Sequence, residues 1–205
     1  MKSLIINLIY FLMSPFLIRK GKKSGVYLTF DDGPHPVNTL KIANALSDAG
    51  VRASFFWVGD QIEKHPEIVK EVIQLGHDIG YHSFSHKSLR KMSRQEVAAD
   101  FAYIRRFEKQ FGYRIKYYRP PYGELTLTGL FMAVRYGLKV VMWSLDSRDS
   151  YDAEEEVMNN VSPNMVMKGD ILLFHDDYDL NAKIMPKLIK EYRQAEVSLC
   201  SLESQ

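Results

Sequence analysis

Two adjacent carboxylates, Asp31 and Asp32, follow an apolar, strand-like run and precede a Gly-Pro turn in residues 29–36 (TFDDGPHP). Strands stop at such turn residues, so both carboxylates are predicted to stand at the C-terminal end of a strand. Two like charges side by side are costly unless a cation neutralises them, and a metal ion commonly does so. The pair therefore predicts a metal site.

A second set of candidate ligands lies downstream, where His82 and His86 stand four residues apart in residues 82–86 (HSFSH). Imidazole nitrogens and carboxylate oxygens are zinc-type ligands, and a catalytic site leaves one coordination position open for water. One aspartate and two histidines would supply three ligands. Taken alone, the histidines could be a solvated helical pair and the aspartates an ordinary N-cap and turn. Their conjunction favours a metalloenzyme.

The elements that must position these residues alternate along the chain from about residue 25, which is typical of βαβ units with a parallel sheet. The predicted strands are 26–30, 53–58, 77–81, 115–118, 139–144, 170–174 and 197–199, and the predicted helices are 38–49, 66–75, 93–111, 125–136, 153–160 and 181–194. In the longest helix, Ser93 and Glu96 have capping-box spacing, and Gly112 follows as the stop.

Polar residues recur at or just beyond the C-terminal ends of these predicted strands. They are Asp31, Asp32, His82, Arg119, Asp149 and His175. Because the carboxyl ends of parallel strands form one face of a β/α barrel, and that face carries the chemistry, these residues are expected to converge.

Composition and charge limit the classes of function. The chain has 205 residues, of which 46% are hydrophobic and 25% charged, enough for one domain with a sizeable core. Its 27 basic and 25 acidic residues nearly balance, and no basic stripe is interleaved with aromatics, so no nucleic-acid partner is predicted. The single cysteine, Cys200, excludes an internal disulfide and leaves the redox compartment open.

The N-terminus carries an apolar run, residues 4–18, followed by a basic cluster, residues 19–23 (RKGKK). The run is shorter than the roughly 18 apolar residues of a spanning helix, and no small-x-small cleavage site follows it. Its narrow polar stripe favours an interfacial helix with the basic cluster at the lipid headgroups. A terminal helix packed on the domain's own surface is an equally open alternative.

Residues 1–24 are accordingly predicted to be an interfacial helix or anchor, and residues 25–205 the catalytic domain. This division predicts peripheral membrane contact through residues 1–24, a membrane-associated or cell-envelope location, and a monomer. A cytoplasmic location stays open.

The ordered motifs resemble those of the polysaccharide deacetylase family, also called NodB-type or carbohydrate esterase family four. The resemblance runs from about Val26 to Leu199. The motifs are 29–34 (TFDDGP), 82–86 (HSFSH), 119–123 (RPPYG), a partly met Asp-Trp element at 149–150 (DS), and 171–175 (ILLFH) for Leu-x-Leu-x-His. The first two in order, together with the third and fifth, make the resemblance specific.

This resemblance implies an α/β fold, a distorted (β/α) barrel of the polysaccharide deacetylase type with fewer than eight strands. It implies that Asp32, His82 and His86 bind a divalent metal, zinc in the first place, with cobalt or nickel possible. Asp31 would be the general base. Without the resemblance, these two roles could not be assigned to the two aspartates, because neighbouring side chains of a strand point to opposite faces.

Further roles follow from the same resemblance. His175 would donate a proton to the leaving amine, and Asp149 would orient and charge it. Arg119 would orient Asp31. The metal and a backbone N–H, that of Tyr122, would hold the oxyanion.

The function implied is a metal-dependent hydrolase that removes N-acetyl groups from an amino-sugar polysaccharide or glycoconjugate, such as peptidoglycan, a chitin-like oligomer or poly-N-acetylglucosamine. Hydrolysis of O-acetyl esters on an acetylated polysaccharide is the nearest alternative, and a catalytically dead carbohydrate-binding protein is the alternative from another class. Ser150 stands where the family has Trp, and Tyr81 where many relatives have Asn, which puts substrate identity in question. Trp57 is expected in the core, and His35, His65 and His77 in structural or solvated roles.

Overall fold

The strands form one curled parallel sheet in the computed structural model, which describes residues 15–22 and 24–204. They are β1 Leu17–Ile18, β2 Val26–Asp31, β3 Ser54–Trp57, β4 Asp78–Tyr81, β5 Tyr117–Tyr118, β6 Lys139–Val141, β7 Leu145–Asp146, β8 Ile171–His175 and β9 Leu199–Cys200. Their order is β1-β6-β5-β4-β3-β2-β8-β7, with β9 also paired to β2. The predicted distorted barrel is confirmed, and only β2, β3, β4 and β8 exceed three residues.

Helices connect successive strands and cover the outer face of the sheet. They are α1 Asn38–Asp48, α2 Gly59–Lys64, α3 Pro66–Gln74, α4 Arg94–Phe111, α5 Leu127–Arg135, α6 Glu154–Asn160 and α7 Asp179–Gln194. Most predicted bounds are correct within two residues. Helix α2 was not predicted because its six residues are too few to show a periodic pattern. The predicted strand 139–144 ends early, at Val141, and β7, which begins beyond it at Leu145, was not predicted.

The predicted ends of α4 are confirmed. The Ser93 hydroxyl accepts a hydrogen bond from the Glu96 N–H (3.2 Å), and the Glu96 carboxylate accepts one from the Ser93 N–H (2.7 Å). Gly112 ends the helix at a φ of 63°, a conformation that costs glycine little.

The side chains of β2 alternate between two cores, because successive residues of a strand point to opposite faces. Leu28 and Phe30 pack in the large core beneath the helices, whereas Tyr27 belongs to a smaller cluster. The buried members of that cluster are Tyr27, Phe56, Tyr117, Val141, Ile171 and Leu202. Asp31 has the same parity as Tyr27 and stands at the C-terminal end of the strand, so it is directed to the same inner side.

The apolar run 4–18 ends in a strand and not, as predicted, in a helix. Leu17 and Ile18 pair with Val140 and Val141, and the Met142 N–H donates to the Ile18 carbonyl (2.8 Å). Residues 1–14, which carry the rest of the predicted helix, lie outside the described residues. The boundary at residue 25 therefore stays a prediction, and β1 is a reason to test an earlier one.

None of the helices within residues 15–22 and 24–204 combines the length and the hydropathy needed to cross a bilayer.

Candidate active site

The three predicted ligands meet at the carboxyl edge of the sheet. Asp32 Oδ1 lies 3.5 Å from His82 Nε2 and 3.1 Å from His86 Nε2. The three donor atoms lie within 4.8 Å of one another. Asp32 follows the last residue of β2 with a φ of 76°, so strand alternation no longer applies to it, and it lines the same cavity as Asp31.

These donors fit a divalent cation. Asp32 Oδ1 is buried without a hydrogen-bond partner, although both imidazoles are close to it. His82 Nδ1 lies 2.8 Å from the Arg119 carbonyl, which can only accept, so Nδ1 carries the proton and the Nε2 lone pair is free to bind a cation. Burial lowers the pKa of His82 to about 3, so this ring is neutral. A neutral imidazole with a carboxylate is a zinc-type donor set.

The second histidine is placed by a turn, which excludes the helical pair that the spacing allowed. Ser83 and His86 have φ values of 67° and 52°, and the His86 N–H donates to the Ser83 hydroxyl (2.9 Å). The Tyr122 hydroxyl donates to the His86 carbonyl (3.2 Å), so the second and third motifs are in contact.

Asp100, on α4, is hydrogen bonded to this turn and was not predicted as a site residue from the sequence. Its carboxylate accepts hydrogen bonds from the Phe84 N–H (2.8 Å) and the Tyr81 hydroxyl (3.0 Å). A signal existed, because Asp100 lies on the buried face of an amphipathic helix, beside Val97 and Phe101. A carboxylate at such a position needs partners.

Asp31 forms a buried ion pair with Arg119 (Oδ1 to Nη1, 2.6 Å). Arg119 is fully buried, and it also donates to the Thr29 hydroxyl (2.9 Å) and the Val141 carbonyl (3.2 Å). Burial raises the pKa of Asp31, although the Arg119 charge opposes the shift. A raised pKa makes the carboxylate a stronger base, as its predicted role requires.

His175 contacts Asp149 through Nδ1 and Oδ1, 2.7 Å apart, and its backbone N–H donates to Oδ2 (2.7 Å). Burial alone would lower the pKa of His175, but the hydrogen bond and charge of Asp149 outweigh it and raise the pKa to about 9. His175 is therefore protonated at neutral pH and can act as an acid. Asn181 donates to both Asp149 and the His175 carbonyl, and no sequence signal pointed to it.

Asp176 braces the first motif and was also missed, although it directly follows His175. It accepts hydrogen bonds from the Gly33 N–H (2.8 Å) and from Trp57 Nε1 (3.0 Å). A Cβ on Gly33 would lie 2.2 Å from the Asp176 carboxylate, so glycine is required there. Trp57 is fully buried, which confirms its predicted place in the core.

An open cavity of about 470 Å³ joins these groups, with Asp31 and His175 paired on the adjacent strands β2 and β8. Its lining residues are Asp31, Asp32, His82, His86, Tyr122, Trp143, Asp146, Ser150, Tyr151, Leu173, His175 and Tyr178. The Ser150 hydroxyl lies 3.2 Å from His175 Nδ1, and its neighbour Tyr151 is 84% exposed. The cavity therefore has a largely exposed aromatic side chain, that of Tyr151, directly after Ser150.

The remaining histidines lie outside this cavity, as expected. His35 Nδ1 accepts hydrogen bonds from the N–H groups that begin α1, and His77 is buried beside the Ala43 carbonyl (3.0 Å). His65 precedes Pro66 at the start of α3.

The fold and the site together define a class of protein: a curled parallel barrel in which a carboxylate–imidazole cluster shares one cavity with a buried aspartate and with a histidine paired to a second aspartate. Residues 18–141 match the family model described as polysaccharide deacetylase. The chain belongs to the polysaccharide deacetylase family. The predicted family is thereby confirmed.

Two similar curated proteins are both peptidoglycan-N-acetylglucosamine deacetylases of Bacillus cereus. One is 35% identical over 81% of this chain and 64% of its own length. The other is 32% identical over 84% of this chain and 86% of its own length. A chitooligosaccharide deacetylase of Azorhizobium caulinodans is 32% identical over 75% of this chain and 74% of its own length. The chain thus spans just under two thirds of the first of these relatives.

Solved structures agree on the fold. A peptidoglycan N-acetylglucosamine deacetylase in complex with 4-naphthalen-1-yl-N-oxidanyl-benzamide has a TM-score of 0.87 at 30% identity, over 96% of this chain and 95% of its own. A CE4 family pseudoenzyme from Bacillus anthracis has a TM-score of 0.85 at 19% identity, over 93% of this chain and 68% of its own, which shows the shared fold alone.

Removing a predicted ligand should remove the cation. We expect Asp32→Ala, His82→Ala or His86→Ala to weaken zinc affinity by more than about 100-fold, because losing an outer-shell partner alone costs roughly 10–100-fold. Calorimetric titration of zinc into metal-stripped protein measures this directly. His65→Ala removes an imidazole outside the cavity and should bind zinc like the unaltered protein. Unchanged zinc affinity in His82→Ala would exclude that residue as a ligand.

The pH profile should report the pair formed by His175 and Asp149. An acid must be protonated to act, so kcat/KM should fall as pH rises through about 9. Asp149→Asn removes the charge that raises this pKa, and the alkaline limb should move to lower pH by roughly one to three units. Asp48→Asn, an exposed carboxylate at the end of α1, is the control. An alkaline limb that stays in place in Asp149→Asn would contradict the assignment.

Proposed function

We propose that this protein is a metal-dependent hydrolase that removes N-acetyl groups from an amino-sugar polymer or glycoconjugate. One observation carries the proposal: Asp31, held by Arg119, and His175, held by Asp149, face one cavity together with the donor cluster of Asp32 and the two histidines. Amide hydrolysis needs a base that accepts a proton from the water and an acid that gives a proton to the departing amine. The Asp31 carboxylate can accept a proton, and the protonated His175 can donate one.

A metal held by Asp32, His82 and His86 would polarise the acetyl carbonyl and acidify a water molecule. Asp31 then accepts the proton of the attacking water through the carboxylate that Arg119 holds in place. His175, protonated by virtue of Asp149, gives its Nε2 proton to the leaving nitrogen. Tyr122, at a φ of 59° beside the cavity, supplies the backbone N–H that we assign to the oxyanion.

The relatives support the substrate class. Those named above are peptidoglycan-N-acetylglucosamine and chitooligosaccharide deacetylases, and a further one, of Bacillus subtilis, is a peptidoglycan-N-acetylmuramic acid deacetylase with 31% identity. Peptidoglycan, chitin-like oligomers and poly-N-acetylglucosamine are the substrates we propose to compare, and a cell-envelope location follows for the first. Zinc is the proposed metal, with cobalt and nickel as substitutes.

The two alternatives differ from this proposal in what they require of the site. An O-acetyl esterase is compatible with the same residues, and a Streptomyces lividans relative with 28% identity is a family 4 carbohydrate esterase solved with acetate. A dead carbohydrate-binding protein is disfavoured here, because the base, the acid and all three ligand positions are occupied and correctly paired.

The decisive measurement is acetate release by the zinc-loaded protein from peptidoglycan, an N-acetylglucosamine tetramer and an O-acetylated xylan. Asp31→Asn should retain zinc and lose roughly 10²–10⁴-fold in kcat, because it removes the general base. His175→Ala should lose more on the amides than on the ester, whose leaving alkoxide needs less protonation. Chelation should suppress turnover, and Asp48→Asn should leave it intact.

Release from the xylan alone would establish the esterase instead. Release from none of the three substrates by a zinc-bound protein would favour the binding protein. Equal losses of His175→Ala on amide and ester would remove that residue from the role of acid.

We further propose that residues 1–14, with the basic cluster 19–23, bring the protein to an anionic membrane surface. Vesicle sedimentation of the full chain should show binding that weakens with salt, and a variant that starts at Pro15 should bind poorly while keeping its Tm. A variant that starts at Ser24 also loses β1 and its hydrogen bonds, which should lower Tm by roughly 5–10 °C. Equal vesicle binding by the full chain and the Pro15 variant would exclude residues 1–14 from the attachment, and absence of vesicle binding by the full chain would refute the attachment altogether.

A further inference from the structure

A second cavity, of about 580 Å³, adjoins the catalytic cavity and shares His86 and Tyr122 with it. We name it the side groove. Its other lining residues are Lys87, Ser88, Lys91, Met92, Glu96 and Glu124. Because the two cavities share His86, a candidate metal ligand, they are adjacent, and a polymer with one acetamido group at the catalytic centre can place a neighbouring sugar in the side groove.

The two carboxylates of the side groove are already satisfied by the protein. Glu96 is held in the capping box of α4, and its hydrogen bonds with Ser93 lower its pKa. Glu124 accepts a hydrogen bond from the Ser88 hydroxyl and lies 3.6 Å from Arg90 Nε. Both carboxylates are therefore held by local structure, and Glu124 also has a cation beside it, so Glu96 is the one negative charge among the described lining residues that faces the two lysines.

The two lysines are not matched in this way. Across residues 15–22 and 24–204, neither Lys87 nor Lys91 has a carboxylate oxygen within 4.0 Å of its ammonium nitrogen. Lys87 acts on Glu96 only at longer range, where its charge is the smallest contribution to the lowered pKa. The side groove thus offers two ammonium groups without a paired carboxylate, both within five residues of His86 in the sequence.

Tyr122 stands at the junction of the two cavities. Its ring centroid lies 4.7 Å from that of His86, and its side chain is 65% exposed. An exposed ring with an anchored hydroxyl offers a flat apolar face to the C–H side of a sugar. A sugar packed on Tyr122 would carry its substituents towards Lys87 and Lys91.

We propose that Lys87 and Lys91 form a subsite for a carboxylate carried by the sugar next to the one that is deacetylated, so that the preferred substrate is an acidic amino-sugar polymer. The inference rests on the proposed deacetylase function and narrows its substrate. In peptidoglycan, a muramic acid residue without a peptide offers its lactyl carboxylate, and one whose lactyl carboxyl is joined to a peptide offers the carboxylates of that peptide. A chitin-like oligomer offers none.

The test compares Lys87→Ala/Lys91→Ala with the charge-matched control Lys41→Ala/Lys70→Ala, which removes two exposed lysines from α1 and α3. Three substrates are used: peptide-free glycan strands with free lactyl carboxylates, the same strands after amidation, and the neutral N-acetylglucosamine tetramer. We expect kcat/KM to fall about five- to thirtyfold on the acidic strands only, with the loss shrinking at high salt. The control should match the unaltered protein on all three.

Strands that retain their peptides separate the two sources of the carboxylate. Lysine dependence on peptide-free strands assigns the lactyl group, and dependence that appears only with peptide-bearing strands assigns the peptide. Either result supports the subsite. Equal losses on acidic and neutral substrates, or no loss on any, would overturn it.

Binding keeps the subsite separate from the deacetylase proposal. The Kd of the acidic strands is measured by calorimetry on Asp31→Asn with and without the two lysine substitutions, where we expect the same five- to thirtyfold loss. Lysine-dependent binding without acetate release by the unaltered protein would refute the deacetylase and retain the subsite. Acetate release with lysine-independent binding would do the reverse.

Discussion

The buried ion pair between Arg119 and Asp31 is the interaction on which the rest of the site depends. Two charges taken out of water are stable only when their geometry is good and the remaining donors are also satisfied. Arg119 meets this condition through Thr29 and the Val141 carbonyl, and its guanidinium lies over the Phe56 ring (4.2 Å). Its own carbonyl accepts a hydrogen bond from the His82 Nδ1–H group. One residue therefore orients the proposed base and fixes the tautomer of a candidate metal ligand.

A buried carboxylate accepts a hydrogen bond from the backbone of each turn that carries a candidate metal ligand. Asp176 anchors the turn after Asp32 through the Gly33 N–H, and Asp100 anchors the turn before His86 through the Phe84 N–H. Burial raises the pKa of both carboxylates. A carboxylate is stable in the core only when it is hydrogen bonded. Asp176 and Asp100 therefore hold the backbone near Asp32 and His86, two residues with positive φ values.

Two histidines in the same cavity have opposite protonation because their partners differ. His82 faces a carbonyl and is fully buried, which lowers its pKa to about 3 and keeps its Nε2 lone pair available. His175 faces the Asp149 carboxylate, which raises its pKa to about 9. One ring is therefore suited to bind a cation and the other to donate a proton. The environment of each histidine, and not the residue type, therefore sets its protonation state.

The sequence by itself determined the order of the elements, their stops, and the identity of the chemical groups at the strand ends. These are local properties, because turn residues, periodicity and short motifs are each defined by residues that lie close together in the sequence. The capping box of α4 is an example. The tertiary structure alone decided that Asn181 supports Asp149, that Asp100 holds the turn before His86, and that residues 17–18 pair with β6 as a strand. Strand order and register set these contacts, and no local pattern encodes which distant strands become neighbours.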